Sequence, residues 1–336
     1  MKHRNPVRAR RGERSVDGRG CSRILVPAGQ ALGVGLALVA ASAAAAGQSQ
    51  VRGWGEDVFD SAWNAGAVEL AAGEYHSMAR LTDGTVVAWG DDFHGQCHVP
   101  PPPPGLTYVE IAASRLHSLA RRRRGTGGAW GGNFCWPCNV PAPPPGLAYV
   151  EIAAGEYHNA ARLSDGTIVP WGIDTGAVPA PPPGHSYVEV AAGGGHTVAR
   201  LDDGLLVAWG DNAYGECNAP APPPGLVYVE VAAGAGHTVA RRSDGSAVAW
   251  GWNASGQCNV PAAPPGLAYV EIAAGNWHTA ARLSDGSVVA WGSNGSGQCS
   301  VPAPPQGLAY VEVSAGSYPT LARLGDGSVV AWGGAS

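Results

Sequence analysis

The sequence predicts an all-β chain: a seven-bladed β-propeller built from four-stranded repeats of about 41 residues. Three observations carry that prediction. Trp-Gly pairs begin at Trp54, Trp89, Trp130, Trp171, Trp209, Trp250, Trp291 and Trp332, and from Trp89 onward the step is 41 residues except at the fourth copy, which is three residues shorter. A period near ~40 residues with several short strands per copy suits propeller blades. Asp-Gly recurs at 83–84, 165–166, 203–204, 244–245, 285–286 and 326–327, a pair that fits a tight hairpin because glycine accepts positive φ. Long amphipathic runs free of proline, which a helical solenoid requires, are missing.

The fourth copy shows the order of elements. Tyr187-Val-Glu-Val-Ala-Ala and His196-Thr-Val-Ala-Arg-Leu read as two strands joined at Gly193-Gly-Gly, and Leu205-Leu-Val-Ala-Trp-Gly reads as a third after Asp203-Gly204. Glu216-Cys-Asn-Ala-Pro is expected to be the fourth. A proline-rich connector such as Val140-Pro-Ala-Pro-Pro-Pro-Gly146 then carries the chain to the next copy. With the first turn centred on Gly194-Gly195, Glu189 falls opposite Arg200. Each copy has the equivalent pair: Glu69 with Arg80, Glu110 with Arg121, Glu151 with Arg162, Glu230 with Arg241, Glu271 with Arg282 and Glu312 with Arg323. A cross-strand ion pair contributes roughly 0.2–1 kcal/mol.

The first 46 residues differ in kind. They hold eight basic residues against Glu13 and Asp17, then an apolar run from Ala31 to Ala46 ahead of Gly47-Gln-Ser-Gln. A basic head, a short apolar stretch and small residues describe a secretory signal peptide over 1–46, with cleavage near Ala46. The propeller is then expected over 51–336, in a secreted, periplasmic or cell-envelope protein with no membrane span in the mature chain. The chain beyond residue 46 has thirteen basic and twenty-four acidic residues, so nucleic-acid binding is disfavoured. The last copy stops at Trp332-Gly-Gly-Ala-Ser336, and Asp57 to Ala65 follow Trp54-Gly55 as Asp211 to Pro220 follow Trp209-Gly210. Residues 51–65 are therefore expected to complete the seventh blade.

Five cysteines, Cys97, Cys138, Cys217, Cys258 and Cys299, recur at one repeat position and read as small buried residues on separate blades, too far apart to bridge. Cys135-Trp-Pro-Cys138 is the one local pair.

These motifs resemble the regulator of chromosome condensation repeat family, in its bacterial secreted form. The resemblance rests on Ala-Ala-Gly-x-x-His-(Ser/Thr)-x-x-Arg, on Asp-Gly and Ala-Trp-Gly, and on the Gly-Gln-Cys that comes after them. Departures are Ser114 in place of glycine, Pro319 in place of histidine, and the shorter fourth copy. The resemblance implies a propeller and leaves function open, since the family includes nucleotide-exchange factors, ubiquitin-ligase modules and secreted β-lactamase inhibitors.

No catalytic, metal or cofactor constellation is legible. His76, His117, His158, His196, His237 and His278 sit at one position per copy, where they are expected to bond backbone groups of their own or a neighbouring blade. Ser77 and Thr197 follow a histidine directly, and strand neighbours face opposite ways. The expected function is binding to an unknown protein or surface polymer, as a monomer, with guanine-nucleotide exchange or enzyme inhibition as alternatives. The copies differ most in two loops. The pair between Gly and His offers Tyr75, Tyr157, Trp277 and Tyr318 as contacts, flanked by Glu74, Arg115 and Glu156. The segment after Trp-Gly offers Phe93, Phe134, Trp136, Tyr214 and Trp252, taken as marks of a different face.

Overall fold

The computed structural model describes residues 66–133, 136–173 and 176–334. The signal peptide expected over 1–46, the blade-completing role of 51–65, Phe134 and the Cys135–Cys138 pair all fall on or depend on residues outside these. Seven antiparallel sheets succeed one another in sequence, and each is built from a single repeat. Blades 1 to 7 span residues 67–90, 108–131, 149–172, 187–210, 228–251, 269–292 and 310–333.

Each sheet has three strands rather than the expected four. Blade 4 is Tyr187–Ala192, His196–Leu201 and Leu206–Gly210, in inner, middle and outer order. The segment around Glu216 forms two linked turns instead: Gly215 N–H donates to Asn212 O, and Asn218 N–H donates to Gly215 O. Its backbone is used elsewhere. Glu216 O accepts from both Trp250 Nε1 and Thr238 Oγ1 of blade 5, and the prolines beyond it have no N–H to offer a ladder. The same carbonyl position, Gln257 or Gln298, receives the Trp and Thr of the next blade.

Inner strands of successive blades touch one another and surround the axis. Tyrosine opens six of them, is at most 3 % exposed, and reaches back to the connector; Tyr187 OH donates to Pro179 O at 2.8 Å. Alternate residues bury against the neighbouring blade, as in the cluster of Tyr187, Val190, Ala199, Leu201 and Trp209 with Ala153 and Ala160. The five recurring cysteines are only half-buried. Each lies in the turn after the outer strand, and Cys217 Sγ lies 3.1 Å from Asp211 O. Burial still pushes the thiols of Cys138, Cys217, Cys258 and Cys299 up to about 11.

The Glu–Arg pairing forms in all seven blades. Glu189 is the register partner of Arg200, the register shifting by one residue only beyond it, at a bulge between Tyr187 and Glu189, and their side chains meet at 2.7 Å. The carboxylate also acts between blades. Its second oxygen accepts a backbone N–H of the next inner strand: Ile111 to Glu69 at 3.0 Å, Val231 to Glu189 at 3.1 Å, Ile272 to Glu230 at 3.0 Å. Leu70 N–H donates to Glu312 Oε1 at 2.8 Å, so the same bond joins blade 7 to blade 1 and closes the ring.

Histidine supplies a second tie between blades. His76 Nε2 meets Ser118 Oγ, His117 meets Asn159 Oδ1, and His196, His237 and His278 meet Thr238, Thr279 and Thr320, at 2.8–3.0 Å. In place of the expected backbone partners, the histidines use side chains of the next blade. Blade 7 has Pro319 at this position, and there Ala72 N–H donates to Ser314 Oγ at 3.0 Å. The glycine preceding each loop is required by this packing: a Cβ at Gly193 would lie 2.3 Å from Gly234 O and 2.5 Å from the His196 ring. Ser114 tolerates the place by donating its hydroxyl to Gly155 O.

Candidate functional site

The Gly-x-x-His loop joins inner to middle strand, and the outer strand ends at Trp-Gly. His196 pairs with Gly210 in register, so both variable loops leave the blade at the same end. Backbone bonds tie them: Asp211 N–H donates to Gly195 O at 2.8 Å and Trp252 N–H to Gly236 O at 2.7 Å. Phe93, Trp136, Tyr214 and Trp252 therefore lie on the same face as Tyr75, Tyr157, Trp277 and Tyr318, not on a different one. Strand alternation in the sequence places each loop but does not reveal that two loops share an end until the hairpin register is known.

This loop face has two aromatic groups. Tyr214 stacks on Trp252 with centroids 5.2 Å apart, and Trp252 meets Trp277 edge-on at 4.4 Å. Three successive repeats thus contribute one continuous surface, with Tyr214 56 % exposed. Gly236 makes room for it, since a Cβ there would lie 3.2 Å from the Tyr214 ring. The absence of a side chain at that loop position is what lets Tyr214 occupy it. Tyr75 and Tyr318 form the second group, with centroids 6.0 Å apart across the join of blades 1 and 7. Between the groups lies a polar cluster. Arg115 Nη1 donates to Tyr157 OH at 2.7 Å, Arg115 Nε lies 3.2 Å from Glu74 Oε2, and Asn276 Nδ2 is 3.5 Å from Glu156 Oε1. The last contact joins blades 3 and 6. The seven residues singled out from sequence are therefore divided: Trp277 belongs with Tyr214 and Trp252, and the other six gather around the axis and the closing join.

Four of the repeats, at residues 67–96, 187–216, 228–257 and 269–298, match the model described as Regulator of chromosome condensation (RCC1) repeat. These four repeats are of the regulator of chromosome condensation type. Similar solved structures include the ectodomain of the receptor kinase CR4 from Physcomitrella patens, at 20 % identity and TM-score 0.65, covering 80 % of this chain and 74 % of that one. Another is Prp20p from Saccharomyces cerevisiae, described with its binding to Gsp1p and histones, at 19 % identity and TM-score 0.64, covering 80 % and 83 %. Human WBSCR16 is similar at 16 % identity and TM-score 0.64, covering 76 % and 86 %. These likenesses show the fold. No curated protein sequence matches the chain.

The RCC1-type repeats bring histidine within bonding reach of a hydroxyl, an arrangement that elsewhere activates a nucleophile. Here it does not. Ser118, Thr238, Thr279 and Thr320 donate their protons to backbone carbonyls, so the histidine Nε2 must be the donor and Nδ1 the bare nitrogen. Burial lowers His76, His117, His196 and His278 to about 4 and His237 to about 3. The pairs hold blades together. On the opposite face, His185, Asp202 and Asp203 lie within 4.8 Å of one another, a cluster hidden in the sequence because the connector and the turn meet only in the folded blade. His185 Nδ1 meets Asp202 at 2.7 Å, while Asp202 also accepts from Ser186 N and Oγ. Three donors on one carboxylate tie the connector to the turn, as Ser243 Oγ does for Val227 N–H in the next blade. Among the described residues no helix is long and apolar enough to cross a membrane.

Trp136 is the one non-glycine residue with positive φ among those described, at 62°, and is 65 % exposed. It occupies the repeat position of Gly95, Gly215, Gly256 and Gly297, whose φ lies at 77–81°. A side chain in this region costs roughly 1–2 kcal/mol. Trp136→Gly should therefore raise the free energy of unfolding by about 1 kcal/mol in urea titration; an unchanged or lower midpoint means the loop carries no such strain.

Proposed function

We propose that this protein is an exported binding module whose loop face docks a protein partner through Tyr214, Trp252 and Trp277. The observation that supports it is the continuity of that aromatic surface across three blades on a rigid ring. Loops displayed on a fixed scaffold are where recognition concentrates, and clustered aromatics provide the anchors at protein interfaces. Tyr75, Tyr157 and Tyr318, with Glu74, Arg115 and Glu156, stand beside the cluster as further contacts. The ring itself is held by buried ties that leave the loops free to vary. Export rests on the basic and apolar character of residues 1–46.

The test is affinity for a partner recovered with the intact protein from its native cell envelope. Trp252→Ala and Trp277→Ala should each weaken binding by about 2 kcal/mol, roughly 30-fold, at an unchanged melting temperature. Equal affinity in both variants overturns the assignment of this face.

A further inference from the structure

Around the axis, five of the loops between inner and middle strands line a cavity of about 120 Å³ with Glu74, Arg115, Glu156, Gly194 and Asn276. That is room for roughly four waters at ~30 Å³ each, or for one ammonium or guanidinium head. Its charge is unbalanced, with two carboxylates set against one guanidinium. Glu74 Oε2 is buried and accepts no hydrogen bond; its ionic neighbour is Arg115 Nε at 3.2 Å. Arg115 directs Nη1 to Tyr157 OH rather than to a carboxylate. Glu156 reaches across the axis to Asn276 at 3.5 Å, the limit of a hydrogen bond. Two carboxylates withdrawn from water beside one guanidinium carry a desolvation cost, and a cation supplied from outside offsets it. Burial first, then the hydrogen bond and charge of Glu74, pushes the Tyr75 hydroxyl well above its ordinary range; burial and then the charge of Glu156 act in the same direction on Tyr157. Arg115 opposes both shifts, so burial is their main cause. Blades 4 and 5 present only Gly194 and Ala235 at this position, so they add no charge to the lining.

We propose that this cavity receives the cationic end of a lysine or arginine side chain projecting from the protein partner. The inference rests on the loop-face reading above and names the chemistry that the partner must present: a basic side chain at the axis, beside an apolar patch that meets Tyr214, Trp252 and Trp277. Charge complementarity selects it. A glutamate or aspartate would face two carboxylates, and an uncharged side chain would leave the second carboxylate of the lining unbalanced by charge.

The experiment uses the intact protein and four probes: acetyl-Gly-Lys-Gly-amide, acetyl-Gly-Arg-Gly-amide, acetyl-Gly-Glu-Gly-amide and n-butylammonium. Binding is followed by amide chemical shifts. The lysine or arginine peptide should give saturable shifts concentrated at residues 73–75, 115, 156 and 276, weakened by added salt. Glu74→Gln combined with Glu156→Gln should weaken that binding at least tenfold, and each single change should weaken it less. Melting temperatures identify any variant that fails to fold, in which case the single changes decide. Equal response to the glutamate peptide, unchanged binding in the variants, or no saturable shift with either basic peptide overturns the proposal. So does n-butylammonium binding as tightly as the peptides, because the site then serves a free organic cation. Loss of partner binding in Trp252→Ala while the peptide result fails would leave the loop-face reading standing and remove only this inference.

Discussion

Lowering the pH from 6.5 towards 4 should unfold this propeller cooperatively. Five buried histidines have folded-state values of about 3 to 4 against an ordinary 6.5. A lowered value means that the folded ring holds the neutral form, so the stabilisation is fully present above 6.5 and is lost as the pH falls through the folded values. Each such group contributes a slope of up to about 1.4 kcal/mol per pH unit in that window. Five together approach ~7 kcal/mol per unit, comparable to the whole stability of an ordinary domain. Protonation also has nowhere to go: Nε2 already donates to the next blade, and the Nδ1 atoms of His76, His196, His237 and His278 are buried without an acceptor. Burial raises the carboxyls of Glu69, Glu110, Glu151, Glu230 and Glu271. These act in the opposite sense as the pH falls towards 4.5, and reduce the slope set by the histidines. Urea midpoints measured from pH 7.5 to 4.5 should fall steeply, and His237→Gln, which keeps a side-chain donor without titrating, should flatten the slope. A midpoint that is level to pH 4.5 would show that the histidines are not sealed between blades.

Glu230→Ala should cost about 2–3 kcal/mol, well beyond a surface ion pair. Two bonds fail together: Arg241 Nε loses its partner at 2.6 Å and Ile272 N–H loses its acceptor at 3.0 Å. Removing one member of a fully buried pair costs roughly 3–5 kcal/mol; both side chains here are 22 % exposed, which reduces the penalty. Glu230→Gln keeps an acceptor for Ile272 and should cost about half as much. Denaturant titration decides it. A loss under about 0.5 kcal/mol would make the seven pairs surface ornaments, with no part in holding one blade to the next.

The ring itself is legible in the sequence because repetition exposes it. Period, turn glycines and the Glu–Arg spacing give blade number, strand order and the register of the first hairpin. The bulge at Val188 is not visible there, because it lies beyond the Glu189–Arg200 pair that the turn aligns. Contacts between repeats are out of reach, because a one-dimensional pattern does not say that Glu69 Oε1 receives Ile111 N–H or that His76 meets Ser118. The fourth strand is misread for the same reason: alternation around Glu216 looks like a strand, but its carbonyl is committed to Trp250 and Thr238 of the next blade. For the loop face, composition singles out the variable aromatics but groups them differently from the folded chain. Tyr214, Trp252 and Trp277 come from three repeats, and their contact depends on the small Gly236 between them.

The most direct measurement is amide hydrogen exchange of the protein with and without its partner. The account predicts protection at residues 211–214, 252–255 and 276–277, with the opposite face around Val188, Val229 and Val311 unchanged. Protection confined to that opposite face, with the loops exchanging as in the free protein, would contradict it.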